Sequence, residues 1–421
     1  MSGIREFVLS EPLFGTHDHQ PPIGEWVADP DKEECFALLG YALHDLIIAG
    51  SGGKPWEPWT RGRVAPCWEF VRTTGYGKAL EFSVQELFGL SFDQFDEVTD
   101  ALQAFLKSGS RRDVYEQCFE RANVIGVIND RNQNIEKMVH SLNEFDYPDF
   151  FKFVLRFERS AFPQPDCGFI GAKPEDFPRL EQELDLSIGG LAGLDEAYEK
   201  YFEQNLATGR LVALKIACAY DRHLDFENVS DAEAEKALQK LLKGEETYPK
   251  TVEDWLFHKQ IRLAEGAGIP VQIHTGYLAG LGKDFRQGDP AELIPAIQQH
   301  PDARFDLFHA SWPFHETAMA MGKQFPNVWL DMCWAWSMNP VASERILDEW
   351  LAAVPCNKFF AYGADICSPI LEIGIARQTR EGIAAVMERK IARGEYDLKT
   401  AEFVARRVMN QNAQEFFRSM E

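Results

Sequence analysis

No stretch of this chain approaches the roughly 20 consecutive apolar residues that a membrane-spanning helix needs, so a helical membrane protein is not expected. The opening MSGIREFVLSEPLFGTHDH also lacks a basic start followed by an apolar segment, and no secretory signal is read there. Runs of Lys or Arg are missing too. With 43 basic against 66 acidic residues the formal net charge is -23, which repels nucleic acid and anionic membranes and keeps a cytoplasmic protein in solution. There is no CxxC pair: the eight cysteines are scattered singly, several in apolar runs, as reduced and buried thiols are. Internal repeats and low-complexity tracts are absent as well. These absences read as a cytoplasmic protein with neither nucleic acid nor membrane as partner, and leave a small-molecule substrate open. A homo-oligomer is compatible with all of them.

What is present is an alternation. Short β-branched or aromatic runs occupy residues 123–130, 151–158, 210–220, 270–276, 304–310, 327–334 and 358–365, separated by longer segments of helical period. With the first run, 13–19, that makes eight, the number a (β/α)8 TIM barrel requires. Residues 26–112 differ, holding helical periods broken by the Gly-, Pro- and Trp-rich SGGKPWEPWTRGR. They read as a helical insertion after the first strand, within one domain spanning 1–421. The segments 289–301, 342–354 and 369–394 have helix spacing and cap-like ends, and a last amphipathic helix over 399–420 is expected to pack outside the strands.

Metal-capable side chains fall at the carboxyl ends of these runs, where a barrel places its active site. His17 and His19 close the first, Lys215 lies in the fourth, His274 ends the fifth, His309 the sixth, Asp331 lies in the seventh and Asp365 ends the eighth. His17 and His19 are two apart on an extended strand, so they share a face and Asp18 points the other way. Each histidine alone would read as a packed core residue; the series is what points to a divalent cation. A carboxylate leaving an apolar strand, as Asp365 does, is costly unless paired or metal-bound. Beside a cation it can serve as both ligand and proton acceptor. Lys215 is open to three roles: ion-pair partner, substrate binder or carbamylated bridge between two ions.

This constellation resembles the amidohydrolase superfamily: HxH on strand one, Lys on strand four, His on strands five and six, Asp on strand eight. The runs VQIHTGYLAGLGKDFRQGDPAELIPAI and FDLFHASWPFHETAMAMGKQFPNVWLDM are similar to the amidohydrolase-related branch. That branch includes domains fused to glutamine synthetase and bacterial glucuronate isomerase-like proteins. The resemblance implies a site of one or two divalent ions, zinc expected and manganese the alternative. His17, His19 and Asp365 match the first ion's ligands, Lys215 the bridging position, and His274 and His309 the second.

Hydrolysis of an amide or ester is the leading expectation, with Asp365 and His309 as the catalytic groups. The alternatives are aldose–ketose isomerisation of a uronate and non-oxidative decarboxylation of an aromatic acid. Arg222 and Arg156 are candidates to grip a substrate carboxylate through a two-pronged hydrogen bond, against the plainer reading of ion pairs. Trp312 and Trp334, with Trp336 and Tyr277, could wall a pocket, although aromatics near strand ends are commonly packing.

Overall fold

The computed structural model describes residues 2–27, 29–130, 145–158 and 168–417. Its strands are β1 Leu13–Asp18, β2 Val124–Asn129, β3 Phe151–Leu155, β4 Leu211–Ile216, β5 Val271–Ile273, β6 Phe305–Leu307, β7 Val328–Asp331 and β8 Phe359–Phe360. They form one sheet in chain order, β1 to β8, with helices between them. The fold is a (β/α)8 barrel. The run of wholly buried positions in β4, LVALKI, shows why: strands covered on both faces are apolar throughout rather than alternating.

Parallel register aligns Leu214, Val271, Phe305 and Val328 as one row, and Ile216, Ile273, Leu307 and Leu330 as another. Between them runs the row Lys215, Gln272, Asp306 and Trp329, in which Gln272 Nε2 donates to Asp306 Oδ2 at 3.1 Å. Lys215 is therefore one member of a polar row within the sheet. The first and last strands meet where the backbone N–H and hydroxyl of Thr16 both donate to Tyr362 O, at 3.0 and 2.8 Å.

By its internal contacts the chain forms two compact units. One holds Met1–Asn129, Asp146–Phe151 and Asp331–Glu415; the other holds Asp130–Phe145, Lys152–Leu330 and Phe416–Glu421. In the first, helices Arg61–Val71, Gly75–Phe88, Phe95–Leu106 and Arg111–Ala122 fill the stretch between β1 and β2, so the helical stretch runs past residue 112 to the edge of β2. Gly75–Phe88 packs on Pro369–Ala392 at Gly374, where a Cβ would lie 1.9 Å from Ala79 O; only glycine permits that approach. The sequence reading did not foresee a Ser2–Ser10 helix, whose Ile4 and Val8, one turn apart, are buried. The C-terminal helical segment lies against β8: Ala361 N donates to Val408 O at 2.8 Å, and Asn412 Nδ2 to Phe359 O at 2.9 Å. No helix among the described residues is long and apolar enough to cross a membrane.

Candidate metal centre

His17 lies in β1, and Asp365 stands five residues beyond the last paired residue of β8, yet the backbone holds them together. Asp365 N donates to His17 O at 3.1 Å, and His19 N to Ile366 O at 3.0 Å, extending the β1–β8 pairing past the strands. Gly363 makes this approach feasible, since a Cβ there would fall 2.5 Å from Cys333 Cβ and 3.0 Å from His17 N. Asp365 itself has φ +56, a left-handed conformation that costs a non-glycine residue about 1 kcal/mol or more and is concentrated at functional sites.

The result is a convergent triad. His17 Nε2 and His19 Nε2 each lie 3.3 Å from the same oxygen, Asp365 Oδ1. The imidazoles stand edge to face, 4.7 Å between centroids. His17 and Asp365 are buried and the His19 side chain is 16% exposed, which leaves the cluster one side toward solvent. Burial alone would raise the Asp365 carboxyl; the charge and hydrogen bonds of His17 and His19 overcome it and hold the group well below the usual carboxylate range. Two imidazole nitrogens and a carboxylate oxygen, all within 4.8 Å of one another, are a donor set suited to a zinc-like divalent ion. Bonds of about 2.0–2.1 Å in a tetrahedral site place ligand atoms about 3.3 Å apart. The His–Asp separations match that edge.

In the second unit the structure brings together His274 and His309, from the ends of β5 and β6. His309 Nε2 and His274 Nδ1 are 3.0 Å apart, and His274 Nε2 lies 2.8 Å from Tyr277 O. A carbonyl only accepts, so Nε2 of His274 carries hydrogen. In the neutral ring its Nδ1 then accepts from His309 Nε2–H, leaving Nδ1 as the proton-accepting nitrogen of His309. His309, Ala310 and Ser311 all have positive φ, and Thr275 Oγ1 bonds both Phe308 O and Ser311 Oγ, at 2.8 and 2.7 Å, fixing the turn. Lys215 Nζ sits 3.3 Å from the centroid of the Phe308 ring, whose electron-rich face suits an ammonium.

Both arginine candidates are engaged by the protein's own acids. Arg156 is paired with Asp130, at 2.6 Å from Nε and 2.5 Å from Nη2. Arg222 donates to Glu253 at 3.1 Å, to Asp254 at 2.7 Å and to Asp225 at 3.3 Å, with its side chain 9% exposed. The ion-pair alternative is thus realised for both side chains, with Glu253 and Asp254 reaching Arg222 from the helix Lys250–Ala267. Glu158 is also buried; its two oxygens accept from Ala217 N at 2.7 and 2.9 Å, and burial pushes it up to about 8 against the pull of Arg156.

Among the aromatics, Trp334 is fully buried against Tyr41 and Tyr76 of the helical stretch, with ring centroids 4.9 and 6.5 Å away. Trp336 is core as well, its Nε1 donating to Ala361 O at 2.8 Å. Trp312 is half-buried beside Tyr277, 5.5 Å between centroids. Asp331 is buried and accepts from Cys333 N at 2.7 Å, closing the turn after β7. The sequence reading passed over Glu372, a lone carboxylate in the apolar PILEIG, and the histidines His258 and His300 on helical segments.

A family model described as Amidohydrolase matches residues 219–418. Protein fluG of Emericella nidulans is 25% identical over 226 residues, covering 50% of this chain but only 26% of that protein. The matched half of the chain thus spans about a quarter of this relative's length. Among solved structures, the uronate isomerase of Thermotoga maritima superposes with a TM-score of 0.78 at 14% identity, over 98% of this chain and 96% of that one. The glucuronate isomerase of Caulobacter crescentus gives 0.74 at 16%, over 100% and 94%. A Lactobacillus casei protein assigned by its name to the metal-dependent hydrolases gives 0.67 at 16%, over 98% and 97%. At such identities these likenesses speak for the fold. Over residues 219–418, which include His274, His309 and Asp365 but not His17 and His19, the chain resembles the amidohydrolases.

Proposed function

We propose that the chain is a metal-dependent hydrolase that cleaves an amide or ester bond of a small molecule. The observation that carries this is the convergence of His17 and His19 on Asp365 Oδ1 at one tetrahedral edge length. His17, His19 and Asp365 would hold a divalent ion, zinc first and manganese as the alternative. When bound, the ion supplies Lewis acidity and lowers the pKa of a water on it to about 7.

The protein's own contribution is placement and proton transfer. Asp365 is fixed by its left-handed backbone and its bond to His17 O, so its carboxylate faces the imidazoles without having to reorganise. Held ionised, it takes the proton of the attacking water and returns it to the leaving group. With Arg156 and Arg222 already paired, a carboxylate on the substrate is not part of the proposal.

A second reading, aldose–ketose isomerisation of a uronate, draws on the shared fold of the two isomerases, which extends over nearly their whole chains. One experiment separates the two. Zinc- or manganese-loaded protein is assayed on a panel of amides, esters and uronates, alongside Asp365→Asn. Hydrolysis that falls at least a hundredfold in the variant supports the proposal. Uronate turnover without hydrolysis contradicts it and establishes the isomerase.

A further inference from the structure

Behind the triad lies a buried acidic cluster that the proposed chemistry does not use. Asp18 sits between the two metal-binding histidines and faces away from them, wholly buried. Its Oδ1 accepts from Ile366 N at 2.9 Å, the residue next to Asp365. Glu372, four residues into the helix Pro369–Ala392, is also wholly buried. Its Oε1 accepts from Tyr362 Oη at 2.5 Å and its Oε2 from Gln20 Nε2 at 3.4 Å, and its carboxyl neighbours that of Asp18. Gln20 is itself fixed: its N–H donates to Asn129 Oδ1 at 2.8 Å and its O accepts from Tyr147 Oη at 2.8 Å. Arg380, largely buried on the same helix, balances the charge of this group.

Glu372 therefore touches the segment on both sides of His19, through Asp18 and Gln20, and the segment before Asp365, through Tyr362. Those segments carry the three ligands, and Tyr362 O is the acceptor by which Thr16 joins β1 to β8. We propose that Glu372 is a positioning residue for the metal centre: by tying Tyr362 to Asp18 and Gln20 it holds the His17–His19 strand end and the Asp365 turn at ligand spacing. Groups that orient ligands from behind typically govern metal affinity by about 10- to 100-fold. The proposal rests on His17, His19 and Asp365 being the ligands.

The test is zinc affinity of the metal-stripped full chain, measured by competition with a chromophoric chelator, with circular dichroism confirming the folded state. Glu372→Ala is expected to bind zinc at least about tenfold more weakly while folded. Glu372→Gln, which keeps an acceptor for Tyr362, should recover most of the affinity. Tyr362→Phe, a gentler change, should weaken binding less but in the same direction. It decides the matter should Glu372→Ala not fold. A purely structural role would lower the melting temperature and leave the dissociation constant of folded protein unchanged. That result in either variant overturns the proposal. Zinc binding lost in His17→Ala but unaltered in Glu372→Ala would defeat this inference alone; a wild-type chain that binds no zinc would defeat the metal centre with it.

Discussion

The His17–His19 pair and the His258–His300 pair have opposite designs. In the first, His17 and His19 aim both Nε2 atoms at one carboxylate oxygen. In the second, His258 and His300 are joined head to tail: His258 Nδ1 meets His300 Nε2 at 2.9 Å, His258 Nε2 meets Glu227 O at 3.1 Å, and His300 Nδ1 lies 3.4 Å from Glu265. Each nitrogen of the second pair faces its own partner, so no common point is left for a cation. Burial, and then the charge of His300, push His258 down to about 4, whereas His17 and His19 hold the Asp365 carboxyl well below its usual range. On the proposed reading, burial and proximity of histidines do not by themselves make a metal site; lone pairs must converge, and a carboxylate must be at hand.

The largest effect that would break this contrast lies in turnover. Asp365→Asn should reduce activity at least a hundredfold, whereas His258→Gln should leave kcat unchanged; equal losses would erase the distinction. Next comes stability. Trp336→Ala removes a fully buried ring that donates to Ala361 O and packs on Gly382, and should cost about 3–5 kcal/mol by denaturant unfolding. Metal bound per folded molecule should stay as in wild type, because no ligand is touched.

Smaller still is an acid effect confined to the second pair. A histidine held neutral by burial binds fewer protons folded than unfolded between its folded and unfolded pKa values, so stability rises with pH across that interval and is lost on acidification. For His258 the contribution is complete above about 6.5 and is lost as pH drops toward about 4. The melting temperature should therefore fall between pH 7 and 5, and fall less in His258→Gln. An identical slope in the variant would show that the pair does not sense acid.

Strand positions were legible because buried parallel strands are continuous apolar runs, as in LVALKI. Their lengths were not. His274 and Asp365 follow the last paired residues of β5 and β8, and His309 opens a turn after β6 with three successive positive φ values. The apolar pattern continues through such residues although the hydrogen-bond ladder has ended. Strand-end position and residue type picked out His17, His19, His274, His309 and Asp365 alike, and only the family resemblance grouped His17, His19 and Asp365 together. Arg222 could not be judged, because its partners Glu253 and Asp254 arrive from a helix some 30 residues on, and charge pairing across that distance has no periodic signal. Glu372 was hidden for the opposite reason: a carboxylate in an apolar helix face has meaning only once its partners Tyr362 and Gln20 are known.

The central claim, that convergence rather than burial makes the site, is tested most directly by counting bound metal. Full-length wild type, His17→Ala and His258→Ala are loaded with zinc, desalted and measured by elemental mass spectrometry. The account predicts stoichiometric zinc in wild type and His258→Ala and a marked loss in His17→Ala. Zinc retained in full by His17→Ala, or lost on replacing His258, would contradict it.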